Sequence, residues 1–266
     1  MTAAPRSKRF AIDLNSDLGE GFGAFAVNAG ADEELFPLIS SANVACGFHG
    51  GDPRMMSQTV DRARRYNVAV GAHPGFRDLA GFGRRLIAAS AEEIRTDVLY
   101  QIGAMAAITR AEGAALRHVK AHGALYNMAV KDPAMAEAIA QAVRQFDADL
   151  RFFAMPGSAL EEAGVTAGLT VVREAFADRA YHGDGSLVSR SIPGAVIEDA
   201  ELVAARVIRL VEDGVIETIE GDTLTLEADT ICIHSDTPTA VPIARAISAR
   251  FARAGIDVRP AYPLDE

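Results

Sequence analysis

Aspartate, histidine and lysine recur at two-residue intervals in this chain, each time beside a short apolar run. Asp13, Asn15 and Asp17 form D-x-N-x-D, Lys120 and His122 stand in H-V-K-A-H-G, and His234 and Asp236 stand in I-H-S-D. Side chains two apart on an extended backbone share one face. His49 in C-G-F-H-G-G, His73 in G-A-H-P-G and Glu174 in V-V-R-E-A each close an apolar run in the same manner. Carboxylates and imidazoles gathered on one substrate can move protons, and a cationic side chain can stabilise charge developing on oxygen. One histidine after a strand is usually a hydrogen-bonded structural residue. Four of the six histidines, His49, His73, His122 and His234, at equivalent places point instead to a functional rim.

The apolar runs at 10–14, 39–46, 68–72, 116–121, 152–155, 170–174 and 230–234 read as strands. Helix signals lie between them. Asp52-Pro53 and Asp132-Pro133 pair an N-cap with a proline at the first helical position. Ser90-Ala91-Glu92-Glu93 is a capping box that opens a long helix ending near Gly113; 201–211 is amphipathic, and Thr237-Pro238 opens the last helix. Strands alternating with helices imply parallel pairing through right-handed crossovers. The expectation is an α/β fold, a (β/α) barrel of about seven parallel strands, with an open doubly wound sheet as the competing architecture. Residues 215–219 and 223–227 flank Gly221-Asp222 and read as one β-hairpin insertion. All 266 residues are assigned to one barrel domain, the first eight as a disordered tail. In such a barrel the C-terminal strand ends share a rim, where active sites lie.

A net charge of -10 argues against nucleic acid, which needs a basic face. No run approaches the ~18 apolar residues of a membrane span, and MTAAPRSKRF leads into no apolar signal segment. A cytoplasmic protein is expected. Cys46 and Cys232 lie in apolar surroundings and read as buried reduced thiols; those surroundings would raise the pKa of Cys46 and make it a poor nucleophile. Gly19-Glu20-Gly21-Phe22-Gly23-Ala24 fits a dinucleotide fingerprint on paper, yet Asp17 and Glu20 would set carboxylates beside a pyrophosphate. Gly-Lys never occurs, so there is no Walker A motif, and there is no G-x-S-x-G elbow. The Asp and His content suits a divalent ion held by three protein ligands. However, no H-x-x-x-H or H-E-x-x-H is present and Lys120 beside His122 would repel a cation, so no tightly bound metal is expected.

The stretches 13–23, 40–53, 71–85, 118–127, 174–181 and 228–238 are long and distinctive. On them the chain resembles the LamB/YcsF family, that of the A subunits of prokaryotic ATP-dependent 5-oxoprolinases. Ala121 departs from the usual Pro, Ser235 from the usual Gly, and His182-Gly183 from a more acidic pair; no candidate catalytic group is lost. The resemblance implies a deacetylase-like barrel that hydrolyses 5-oxo-L-proline to L-glutamate. It also implies ATP, with Mg²⁺, as co-substrate of a complex with B and C subunits. For that chemistry Asp17, His49, His73, His122 and Glu174 are the candidates for proton transfer, and Lys120 and Arg179 for stabilising charge on oxygen or phosphate. Asp13, Asn15, Glu20, Asn43, Arg179, His234 and Asp236 are expected to hold the substrate. Two other readings remain: a stand-alone metal-dependent deacetylase or amidohydrolase, and a non-catalytic subunit that binds a small acid. Lys120 itself can serve the substrate or neutralise Asp13 or Asp17 inside the barrel.

Overall fold

The computed structural model describes residues 11–23 and 29–263. Short runs rich in Val, Ile and Ala give the strands β1 (Ala11–Leu18), β2 (Ser41–Ala45), β3 (Ala69–His73), β4 (Leu116–Val119), β5 (Arg151–Ala154) and β6 (Thr170–Phe176). They are followed by β7 (Val215–Glu217), β8 (Thr223–Thr225), β9 (Thr230–His234) and β10 (Asp257–Val258). Strands β1 to β6 pair in sequence order and β9 closes the ring between β6 and β1, every pairing parallel. The result is the expected closed seven-stranded barrel. β7 and β8 form the expected antiparallel hairpin, and β10 lies parallel to the start of β1.

The helices are α1 (Ala29–Leu35), α2 (Pro53–Arg65), α3 (Ala91–Ala111), α4 (Gly123–Ala129), α5 (Pro133–Phe146), α6 (Ala159–Thr166), α7 (Ala200–Asp213) and α8 (Ala240–Ala254). The cap signals operate as read: Asp52 accepts from the Met55 N–H at 2.8 Å ahead of Pro53, and Ser90 with Glu93 closes a capping box. α8 starts three residues after Thr237, from Thr239.

Four strand boundaries differ from expectation, and each moves a candidate residue. β1 runs on to Leu18, so Asp13, Asn15 and Asp17 climb the inner face of one strand instead of leaving its end. Phe10 and the first eight residues lie outside the described residues. β2 stops at Ala45, which puts His49 in the following turn. β4 stops at Val119, and His122 becomes the N-cap residue of α4. β6 continues to Phe176, so Glu174 is an interior residue.

Most parallel barrels fill their interior with branched apolar side chains; this one fills it with polar ones. Asp13 lies lowest, accepting hydrogen bonds from Ser40 Oγ at 2.5 Å, Ser41 Oγ at 2.8 Å and Thr230 Oγ1 at 2.6 Å. Above it, Asn15 Nδ2 donates to Thr230 Oγ1 at 2.8 Å and Asn43 Nδ2 to Asn15 Oδ1 at 2.7 Å. His118 Nε2 donates to Asn43 Oδ1 at 2.8 Å, and Tyr262 faces His118 Nδ1 at 2.7 Å. Buried polar groups are tolerated only when bonded in this way. Leu14, Val44, Val70, Val119 and Ile231 belong to the main apolar core. Gly71 leaves space for His118, whose Nε2 would lie 2.1 Å from a Cβ at that position.

Gly71→Ala should therefore lower stability by about 1–3 kcal/mol or more, the usual cost of overpacking, as read by urea denaturation. Burial outweighs the hydroxyl hydrogen bonds and raises the Asp13 pKa from 3.8 to about 6. The fold thus favours the protonated acid. Its contribution to stability is complete below pH 3.8 and is lost as pH rises through about 6. Asp13→Asn should flatten that limb of the stability profile, and an unchanged slope would show that Asp13 does not generate it.

Candidate active site

At the C-terminal strand ends the barrel opens into a cleft of about 480 Å³, lined among others by Asp17, Glu20, His73, Lys120, His122, Arg179, His234 and Asp236. Eight of the expected site residues therefore meet at one rim. Asp13, Asn15 and Asn43, expected to hold substrate, lie in the hydrogen-bonded layers beneath and do not line this cleft. The cause is the length of β1, which places only its last inward residue at the rim. His49 and Glu174 are fully buried and do not line the cleft.

Lys120 is buried, its ammonium 2.8 Å from Asp17 Oδ1, 2.9 Å from Glu174 Oε1 and 3.0 Å from Cys232 Sγ. Burial lowers the Lys120 pKa, but Asp17, Cys232 and Glu174 outweigh it and hold it well above its ordinary value. Burial likewise raises Asp17, while His73 and Lys120 more than compensate and hold it well below 3.8. Lys120 thus borders the cleft and pairs with Asp17, one of the two carboxylates considered for it, together with Glu174.

Beside this network stands a wall of three imidazoles and Glu20. His73 Nδ1 faces the Lys120 carbonyl at 2.8 Å and His122 Nε2 faces the Phe82 carbonyl at 2.8 Å. A carbonyl can only accept, so both ring protons in the neutral forms are fixed on those outer nitrogens. The inner nitrogens, His73 Nε2 and His122 Nδ1, are 3.0 Å apart. Glu20 Oε1 lies 3.3 Å from His122 Nδ1, 3.3 Å from His49 Nε2 and 3.9 Å from His73 Nε2. The His49 and His122 rings stack with centroids 3.6 Å apart. Burial pushes His122 down and, aided by His122, pushes His49 to about 3. Burial raises Glu20, yet the His122 and His49 rings hold it below its ordinary value of 4.5.

The loop after β3 shapes this wall. Buried Asp78 accepts from the Gly81 N–H at 2.9 Å and pairs with Arg85, which turns the Phe82 carbonyl toward His122. Gly83 adopts φ 64°, and a Cβ there would lie 2.7 Å from the His122 ring and 2.7 Å from His49 Cβ. No larger residue fits without moving them.

Opposite, His234 Nδ1 contacts the Asp178 carboxylate at 2.8 and 3.0 Å. The sequence pattern does not single out Asp178, although it stands four residues after Glu174 in the same motif. Asp236 pairs with Arg84, a cleft residue that the pattern also passes over. Arg179 donates to the carbonyls of Val188 at 2.6 Å and Ala195 at 3.3 Å, and burial lowers its pKa to about 10. Those bonds support the segment 177–199, which forms one edge of the cleft. Within the glycine-rich motif, the Gly19 N–H donates to Asp32 at 2.9 Å and Glu20 joins the histidine wall; Ala24 lies outside the described residues. Burial pushes the Cys46 thiol to about 12, as its apolar flanks implied.

The described strands thus form a closed parallel (β/α) barrel with a polar interior and an Asp/His/Lys rim. The chain belongs to the LamB/YcsF family, whose model matches residues 12–266. A relative from Symbiobacterium thermophilum, named as the A subunit of 5-oxoprolinase, is 54% identical over 247 residues, 93% of this chain and 94% of its own. The crystal structure of a lactam utilization protein from Thermus thermophilus superimposes with a TM-score of 0.89 at 51% identity, covering 95% of this chain and 100% of that one. The catalytic domain of a peptidoglycan N-acetylglucosamine deacetylase from Eubacterium rectale shares the fold, with a TM-score of 0.51 at 13% identity over 98% of this chain and 93% of that one.

Removing the Lys120 charge leaves Asp17 and Glu174 buried without their cation. Lys120→Met should cost about 3–5 kcal/mol of stability, the range for breaking a buried pair. A melting temperature within a degree of the parent would mean that the ammonium does not neutralise these carboxylates.

Proposed function

We propose that this protein is the A subunit of an ATP-dependent 5-oxoprolinase, which acts with B and C subunits to open 5-oxo-L-proline to L-glutamate. The observation that carries the reading is the acid–base cleft at the rim, on a chain that resembles proteins of that name along nearly its whole length. No helix among the described residues is long and apolar enough to cross a membrane. The two buried free thiols suit a reducing compartment, and we place the complex in the cytoplasm.

A lactam amide is resonance-stabilised, so its carbonyl must be activated before water attacks. In the complex, the γ-phosphoryl group leaves ADP and bonds to the lactam oxygen, giving an imidate phosphate. Water adds to the ring carbon and passes a proton to His234 Nε2. Asp178 holds the proton of Nδ1 and stabilises the imidazolium that forms. The ring C–N bond then breaks, the nitrogen takes that proton, and hydrolysis of the γ-glutamyl phosphate releases L-glutamate and phosphate. The arginines of the cleft supply positive potential for the oxyanion and the phosphoryl group.

The purified protein with ATP, Mg²⁺ and 5-oxoproline should release negligible glutamate, and adding the B and C subunits should restore turnover. Rapid release in their absence would overturn the partner requirement. In the reconstituted complex, His234→Gln should lower kcat by roughly 10²–10⁴-fold, the worth of one general acid–base group. Full turnover by this variant would remove His234 from the proton path.

A further inference from the structure

The hydrolysis proposed above leaves the histidine wall without a task, and the wall has an unsolved electrostatic problem. Backbone carbonyls fix the protons of His73 and His122 on their outer nitrogens. Two lone pairs then face each other at 3.0 Å, with a Glu20 oxygen beside both. Neither nitrogen of His49 nor Glu20 Oε1 finds a hydrogen-bond partner among the described residues, although all are buried. Unmet buried polar groups are costly, and His49 Nε2 and Glu20 Oε1 lie together with the inner nitrogens of His73 and His122, while His49 Nδ1 lies toward Gly75.

We propose that Glu20, His49, His73 and His122 bind one divalent transition-metal ion through Glu20 Oε1, His49 Nε2, His73 Nε2 and His122 Nδ1. Bonds of about 2.0–2.1 Å place the ligand atoms of a tetrahedral zinc ion about 3.3 Å apart. The separations of 3.0, 3.3, 3.3 and 3.9 Å found here bracket that edge. All four ligand groups lie within 4.8 Å of one another. The outer nitrogens of His73 and His122 already donate to carbonyls, which is the outer shell that metal-bound histidines have. Three imidazoles with one carboxylate suit Zn²⁺ or Co²⁺ better than Mg²⁺ or Ca²⁺.

This reverses the expectation drawn from Lys120, and the reason is geometric. The ammonium is committed to Asp17 Oδ1 and Glu174, while Asp17 Oδ2 faces His73 Nε2 at 3.4 Å. A cation at the wall therefore meets a carboxylate before it meets the lysine.

The test uses the full-length protein, stripped with a chelator and titrated with Co²⁺ and then Zn²⁺, without ATP, lactam or partner proteins. One equivalent of Co²⁺ should bind with the intense visible bands of a four-coordinate ion, and Zn²⁺ should displace it. Glu20→Gln and His122→Ala should each weaken Co²⁺ binding by more than the roughly 10–100-fold that loss of an outer-shell partner costs. Absence of stoichiometric binding by the folded parent, or unchanged affinity in both variants, would overturn the site; a proton shared between His73 and His122 would give the first result. If a variant fails to fold, X-ray absorption of the Co²⁺-loaded parent decides. A nitrogen-rich shell of imidazoles supports the site, and a sulfur-containing or all-oxygen shell rejects it.

Discussion

The interaction on which the rest of this barrel depends is the burial of one ammonium between two carboxylates. Lys120 meets Asp17 and Glu174 across the width of the barrel, from β1, β6 and the end of β4. Removing such groups from water is repaid only if their remaining lone pairs and protons are also satisfied. The layers below do this. Asn43 donates to Asp17 Oδ1 at 2.8 Å and also to Asn15, which in turn reaches Thr230 and so Asp13. A polar interior is therefore the consequence of charge at the rim, and it accounts for the small residues among these strands. Gly71, Ser41 and Thr230 leave space or hydroxyls where a typical barrel would place Val or Leu.

The same network separates two kinds of histidine environment. Lys120 carries one positive charge against the two negative charges of its partners, so the triad as a whole presents surplus negative potential. That potential is directed by Asp17 Oδ2, which faces His73 and not the lysine. The loop from Pro74 to Arg85 encloses the wall from above, with Gly83 permitting the ring stack and Asp78 holding the turn. Fold, charge balance and loop thus act on the same few cubic ångströms.

Much of this was legible in the sequence because strand periodicity and chemistry coincide there. Alternation in D-x-N-x-D and K-x-H revealed which faces carry polar groups, and proline-containing caps marked α2 and α5. What periodicity could not reveal was height along a strand. Asp13 and Asp17 are indistinguishable in pattern, yet one is a barrel-floor residue and the other a rim residue, because β1 extends to Leu18. Helices α1, α4 and α6 have seven or eight residues, too few for a clear helical period. Asp178 escaped notice because its partner His234 is distant in sequence, and only the β6–β9 pairing brings them together. The carbonyls of Lys120 and Phe82, which decide the chemistry of two histidines, leave no sequence signal at all.

Those carbonyls also underlie the division of labour proposed for the rings. A carbonyl fixes a tautomer but brings no formal charge, so it does little to stabilise an imidazolium; an ionised carboxylate does both. His73 and His122 bear carbonyls on their outer nitrogens and have neighbouring imidazoles on the inner side. They also meet carboxylates, Glu20 at 3.3 Å from His122 and Asp17 at 3.4 Å from His73, but these contacts are longer than the 2.8 Å between His234 and Asp178. His234 instead leans on Asp178, whose carboxyl is held below its ordinary range: burial raises it, but His234 outweighs that. His234 lies against the Phe176 ring, with centroids 5.5 Å apart, and remains partly exposed to the cleft. A proton that must be accepted and then returned within one turnover is best carried by the ring that a carboxylate holds most closely and that solvent can reach. By that reasoning the proposed proton transfer is assigned to His234, and the proposed bound cation to the three rings opposite.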